Sequence, residues 1–133
     1  MEAIKRWHRE CVAKEMIGVL KKKGYNAIYV ENIDAVRAVI ASLIPEGASV
    51  AVGGSVTLNE TNVLSDIQNG AYNYIDRYNQ PNFEAMCDKY REGLSADYFV
   101  TSTNAITKNG ELVNIDCTGN RVAAMAFGPK NVI

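Results

Sequence analysis

The sequence predicts an α/β protein: a mostly parallel sheet with helices on both faces and one antiparallel β-hairpin. Three observations carry that class. Short apolar runs at residues 27–30, 49–52 and 97–101 alternate with segments whose apolar residues recur every three or four positions. Ser49-Val50-Ala51-Val52 is small and continuously apolar, as in a strand buried on both faces. Lys108-Asn109-Gly110 separates two short apolar segments, and Asn-Gly accepts the positive φ angles of a type I′ hairpin turn.

The elements follow in order. Residues 2–23 form an amphipathic helix with Ile4, Trp7, Cys11, Val12, Met16, Val19 and Leu20 at helical spacing, and Gly24 stops it. Ala27-Ile28-Tyr29-Val30 reads as a short strand. Asn32 or Asp34 caps a second helix running to Leu43, and Pro45-Glu46-Gly47 ends it with turn chemistry. After the strand at 49–52 come Gly53-Gly54-Ser55 and a helix from about Thr57 to Gln68, with Thr57 and Glu60 spaced as a capping box. Residues 72–76 read as a strand, Pro81 opens a charged helix, and residues 97–101 form a strand leading into the hairpin. Thr118 or Gly119 starts a last helix, 122–127, and residues 131–133 begin a further strand. Either that strand is short, or the chain is a truncated member of a longer family.

At 133 residues, 47% of them apolar and 22% charged, the chain is expected to be one globular domain spanning 1–133. Fourteen basic against fifteen acidic residues argue against nucleic-acid binding, which calls for a basic patch or stripe. Lys21-Lys22-Lys23 is explained by the negative end of the first helix. No stretch has the length of a membrane-spanning helix, and the charged N-terminus does not read as a signal peptide, so the expected location is cytoplasmic. Cys11, Cys87 and Cys117 are too widely spaced for a metal site or disulfide framework. Cys11 and Cys87 read as small buried hydrophobes, and sole His8 as an exposed residue.

In an open parallel sheet, ligands settle at the carboxyl ends of the strands. Three segments have that position. Gly53, Gly54, Ser55, Thr57 and Asn59 form a glycine-led loop before a helix N-terminus, which can approach an anion or simply make a tight turn. Thr101, Ser102, Thr103 and Asn104 follow the next strand and can hold a ligand or satisfy a turn. Asn114, Asp116, Cys117, Thr118, Gly119, Asn120 and Arg121 form the densest polar cluster. A cation one turn into a helix opposes the dipole, so Arg121 implies a bound anion or a salt bridge to Glu60 or Asp116. Folding the hairpin is expected to bring Asn104 and the 114–121 cluster toward the loop at 53–60. Asp76-Arg77-Tyr78 reads either as a cleft wall or as an ordinary strand exit.

Residues 53–61 (GGSVTLNET), 76–78 (DRY), 101–106 (TSTNAI) and 112–123 (LVNIDCTGNRVA) resemble the LUD, or lactate-utilisation, domain family. The resemblance covers nearly the whole chain. It implies a fold similar to ribose-phosphate isomerases, glucosamine-phosphate deaminases and coenzyme A transferases. Those enzymes usually carry an acidic residue where this chain has Asn104, and an amide cannot act as a general base. Glu60 and Asp116 are then the candidate catalytic carboxylates, with Arg121 as the candidate anion contact.

The resemblance further implies a small anionic metabolite in lactate or related organic-acid utilisation. The partners it suggests are iron–sulfur and oxidoreductase subunits, with any iron–sulfur cluster held by a partner. Sugar-phosphate isomerase or coenzyme A transferase chemistry, and a non-catalytic sensing or assembly module, are the alternatives. Longer members continue into a cysteine-bearing tail. An unpaired strand edge with many tyrosines suggests a homodimer.

Overall fold

A computed structural model describes all 133 residues. The chain divides into two compact units: Met1–Glu31 with Thr103–Val113, and Asn32–Ser102 with Asn114–Ile133.

The first unit holds α1 (Glu2–Lys22) and the hairpin strands. Gly24, at φ +90°, closes α1 as the sequence suggests: its N–H donates to the Lys21 carbonyl and that of Tyr25 to the Leu20 carbonyl. This is the bonding pattern of a Schellman cap. No residue of α1 is buried, and Ile4, Trp7 and Val12 of its apolar set are exposed. Cys11 is exposed too and Cys87 only partly buried, so neither is the buried hydrophobe expected. Residues 27–30 form no strand, because no neighbouring strand supplies a ladder for their backbone groups.

The hairpin strands β4 (Ala105–Ile106) and β5 (Leu112–Val113) pair antiparallel, Ala105 with Val113 and Ile106 with Leu112. The turn is not type I′, since Asn109 does not take a positive φ. Instead, the Gly110 N–H donates to the Thr107 carbonyl and that of Thr107 to the Glu111 carbonyl, with Gly110 alone left-handed at φ +77°. That is the longer hairpin loop with one left-handed glycine. A Cβ on Gly110 would lie 2.9 Å from Val19 Cγ1, so the turn also packs closely on the last turns of α1.

The second unit is the α/β core. Its strands are β1 (Ser49–Val52), β2 (Asn73–Tyr74), β3 (Tyr98–Val100) and β6 (Asn131–Val132), in the order β2-β1-β3-β6, all parallel. Alternation along the strands divides the core into two layers. Val50, Val52 and Val100 point to a face covered by Leu58, Val63, Leu64 and Ile67 of α3 (Val56–Glu60) and α4 (Val63–Asn69), with Val36 and Ile40 of α2 (Ile33–Leu43). Ala51 and Phe99 point to the other face, packed with Ala96 and with Ala124 of α6 (Asn120–Phe127). A Cβ on Gly93 would stand 3.0 Å from Ala51 Cβ, so α5 (Phe83–Gly93) also lies hard against that face. The expected class, a parallel sheet flanked by helices plus an antiparallel hairpin, is the observed one.

Several boundaries differ from the sequence reading: α6 starts at Asn120 rather than 122, and the strand expected over 72–76 is only Asn73–Tyr74. The helix expected from 57 to 68 is two helices, broken where Asn62 adopts φ +59°, a conformation Asn tolerates. The N-cap of α3 is Ser55 rather than Thr57: its Oγ accepts from the Leu58 N–H at 3.2 Å, so the Thr57–Glu60 capping box does not form. Asn32 caps α2 and Asn82 caps α5, each accepting a backbone N–H three residues on.

Candidate functional site

From β1 the chain passes to β2 on one side and then to β3 on the other, which makes the β1–β3 junction the topological switch point of the sheet. Ligand crevices in open α/β sheets form there, beyond the carboxyl ends of the strands. Three adjacent ends meet at this edge: β1 leads into Gly53-Gly54-Ser55, β3 into Thr101-Ser102, and β2 into Ile75-Asp76-Arg77.

The β1 and β3 ends are joined directly. Ser55 Oγ donates to Ser102 Oγ at 2.9 Å, and the Gly53 N–H donates to the Val100 carbonyl. A Cβ on Gly53 would fall 2.3 Å from Thr101 Oγ1, so glycine is demanded there by packing. Asn59 is tied back to this loop, its Nδ2 donating to the Ser55 carbonyl at 3.0 Å. Thr57 is exposed, with its carbonyl accepting from Thr61 Oγ1.

Arg121 and Asp116 form an ion pair beside the same edge, with side chains 8% and 7% exposed. Arg121 Nε donates to Asp116 Oδ1 at 2.9 Å, Nη1 to the Ser102 carbonyl at 2.6 Å and to Asn114 Oδ1 at 3.1 Å, and Nη2 to the Ile115 carbonyl at 3.2 Å. The second carboxylate oxygen accepts from the Val122 N–H at 2.6 Å. Burial raises the Asp116 pKa, but the Val122 N–H and the Arg121 guanidinium outweigh it and hold the carboxyl below its ordinary value. The cation at the start of α6 is therefore neutralised by the salt bridge that the sequence offered as one alternative. The ion pair clamps the 114–121 segment to the end of β3.

Of the other expected residues, Gly119 is the left-handed N-cap of α6 at φ +75°, and Thr118 Oγ1 donates to Asn120 Oδ1. Glu60 is exposed and makes no ion pair. Thr103 and Asn104 belong to the hairpin unit, where Thr103 Oγ1 and the Asn104 N–H both bond to the Val113 carbonyl. The exposed Cys117 adjoins no cluster that could hold a metal ion.

The residue that sequence reasoning undervalued is Arg77. Its guanidinium lies over the Tyr90 ring, 4.5 Å from the centroid, and 5.3 Å from that of Tyr78. Nη2 donates to the Tyr90 hydroxyl at 2.7 Å, while Nε and Nη1 are buried with no hydrogen-bond partner. No carboxylate pairs with it. Adjacent Asp76 instead accepts from the backbone N–H groups of Tyr78 and Asn79. Arg77 lines a cavity of about 10 Å³ with Lys89, Tyr90, Phe99 and Asn120. Its tyrosine partners, the glycine loop and the strand exit were each visible in the sequence; their convergence was not.

The fold and this edge define a doubly wound α/β domain with its polar residues gathered at the switch point. The LUD domain family model matches residues 13–133, and the chain belongs to that family. It is thus a lactate-utilisation-related domain. It is similar to a protein named ATP synthase subunit delta from Chlorobium phaeobacteroides (strain BS1), 31% identical over 109 residues. The match covers 80% of this chain and 57% of that protein, so the chain spans little more than half its length. No solved structure gives a significant match.

Proposed function

We propose that this LUD-domain protein binds a small anionic metabolite at the β1–β3 switch point and serves lactate or related organic-acid utilisation in the cytoplasm. The observation that carries the reading is the meeting of Gly53-Gly54-Ser55 and Ser102 at the one place where an open parallel sheet forms a ligand crevice. Family membership supplies the metabolic context. Binding is favoured over proton-transfer catalysis, because Asp116 is held ionised by Val122 and Arg121. Neither isomerase nor transferase chemistry gains a positioned base from the exposed Glu60. Iron–sulfur and oxidoreductase subunits are the partners this role calls for, and a homodimer is the expected assembly. The exposed Ile4, Trp7 and Val12 of α1 are compatible with such association.

Titration calorimetry with lactate, a sugar phosphate and a coenzyme A thioester tests the reading. Saturable heat and a raised melting temperature with the organic acid are expected, since a ligand of the native state stabilises it. Absence of saturable binding by all three would overturn the proposal.

A further inference from the structure

We infer that Arg77 is the anion anchor of this site and that it receives the carboxylate of a small organic monoanion arriving over Gly54. The inference rests on the anion-binding reading above and names the residue and the charge type that reading requires.

Four observations converge. Burying a guanidinium without a counter-charge is costly, and leaving its donors unpaired adds to the cost. Arg77 does both: Nε and Nη1 are buried and unpartnered, and no carboxylate reaches it. The other arginine at this edge, Arg121, is neutralised by Asp116, and Lys89, which lines the same cavity, is paired with Glu92 at 2.6 Å. What remains is a pair of buried donors without an acceptor, and the neighbouring Asp76 carboxylate, which bonds to Asn79 and backbone N–H groups, disfavours a dianion beside them.

Next, the tyrosine rings hold the guanidinium in place through its face and through the Nη2–Tyr90 hydroxyl bond. A fork fixed in advance loses little freedom when it binds a planar carboxylate. The fork end also faces the loop: a Cβ placed on Gly54 would stand 3.7 Å from both Nη1 and Nη2.

Finally, Gly54 needs an explanation of its own. Its φ is not in the left-handed region and an added Cβ would meet only ordinary van der Waals contact, unlike the clash at Gly53. Neither backbone conformation nor packing demands glycine at position 54. Gly54 is exposed and presents no side chain beside the Arg77 fork, whose Nη1 is itself buried. The cavity of about 10 Å³ that Arg77 lines with Lys89 and Tyr90 has room for about one water-sized group.

The test uses the full chain labelled with ¹⁵N-arginine. The Arg77 Nε–H resonance, assigned by its loss in Arg77→Lys, is followed during titration with sodium lactate and, separately, inorganic phosphate. Lactate is expected to move it saturably. Gly54→Ala is expected to keep the wild-type melting temperature in lactate-free buffer yet bind lactate about tenfold or more weakly, the loss of one charge-assisted contact. Arg77→Lys is expected to lose at least as much.

Calorimetric lactate binding that leaves the Arg77 resonance unmoved, or that persists at wild-type strength in both variants, would overturn the anchor while leaving the anion-binding function intact. Saturation by phosphate but not lactate would overturn the carboxylate assignment. No response of the wild-type protein to either probe, by resonance or by heat, would overturn the anchor and the underlying function together.

Discussion

Replacing Arg121 by methionine removes the cation of the ion pair while keeping most of the side-chain volume. In the wild type that guanidinium joins four acceptors from four residues: Asp116, Ser102, Asn114 and Ile115. The substitution leaves the Asp116 carboxylate, 7% exposed, without its counter-charge, and it removes the donors to the Ser102 and Ile115 carbonyls. Breaking one partner of a buried pair costs about 3–5 kcal/mol. That is a large part of the ~5–15 kcal/mol that stabilises a typical domain. The melting temperature should fall by about 10 °C or more.

Urea denaturation followed by circular dichroism at pH 7 measures the loss. Adding Asp116→Leu to Arg121→Met removes the stranded carboxylate and should restore about 1 kcal/mol or more, because residues in direct contact do not contribute additively. A single-variant loss under about 1 kcal/mol would refute the assignment of Arg121 as the clamp between α6 and the end of β3. So would a double variant whose loss equals the sum of the two single losses.

Gly53→Ala should cost about 1–3 kcal/mol by overpacking against Thr101, and Thr101→Ala should relieve part of that cost by removing the hydroxyl that lies 2.3 Å from the new Cβ. Equal urea midpoints for Gly53→Ala and wild type would contradict the close packing of the β1 and β3 exits. Acid sensitivity follows from the carboxylates. Asp116 and Asp76 are both held below their ordinary values, against the raising effect of burial: Asp116 chiefly by the Val122 N–H and Arg121, Asp76 by Asn79 and the Tyr78 N–H. A depressed folded-state pKa gives stability that is present above the unfolded value of about 3.9 and lost as pH falls through the folded value. The melting temperature should therefore drop below about pH 4, and Asp116→Asn should show a shallower drop than wild type. Parallel acid limbs for the two proteins would exclude Asp116 as a source.

The polar residues of the site were legible because their chemistry stands out from a scaffold, but their partners were not. The sequence marks Arg121 as misplaced against the dipole of α6 and offers either an anion or Asp116 to explain it. Only the folded chain shows that Asp116 lies 2.9 Å away and also accepts the Val122 N–H. Arg77 shows the reverse case. In sequence it is one residue of a strand exit, and nothing local distinguishes it from a solvated arginine. Its importance depends on Tyr90, thirteen positions later, and on Gly54, twenty-three earlier, which long-range packing brings to the same guanidinium.

Local elements were easier. Helix ends at Gly24, Asn32 and Gly119 follow from capping chemistry within a few residues, and the apolar run at 49–52 is a central strand because its alternating side chains are buried on both faces. The run at 27–30 has comparable β-type composition and is no strand, since a ladder needs a neighbour and composition cannot supply one. By itself, then, the amino-acid order determined the α/β class, the type and order of most elements and the loops where polar chemistry gathers. Tertiary structure alone decided which charge is neutralised and which is left over. Arg121 meets a carboxylate and Arg77 does not, and that difference arises from chain segments too far apart in sequence for local propensity to relate them.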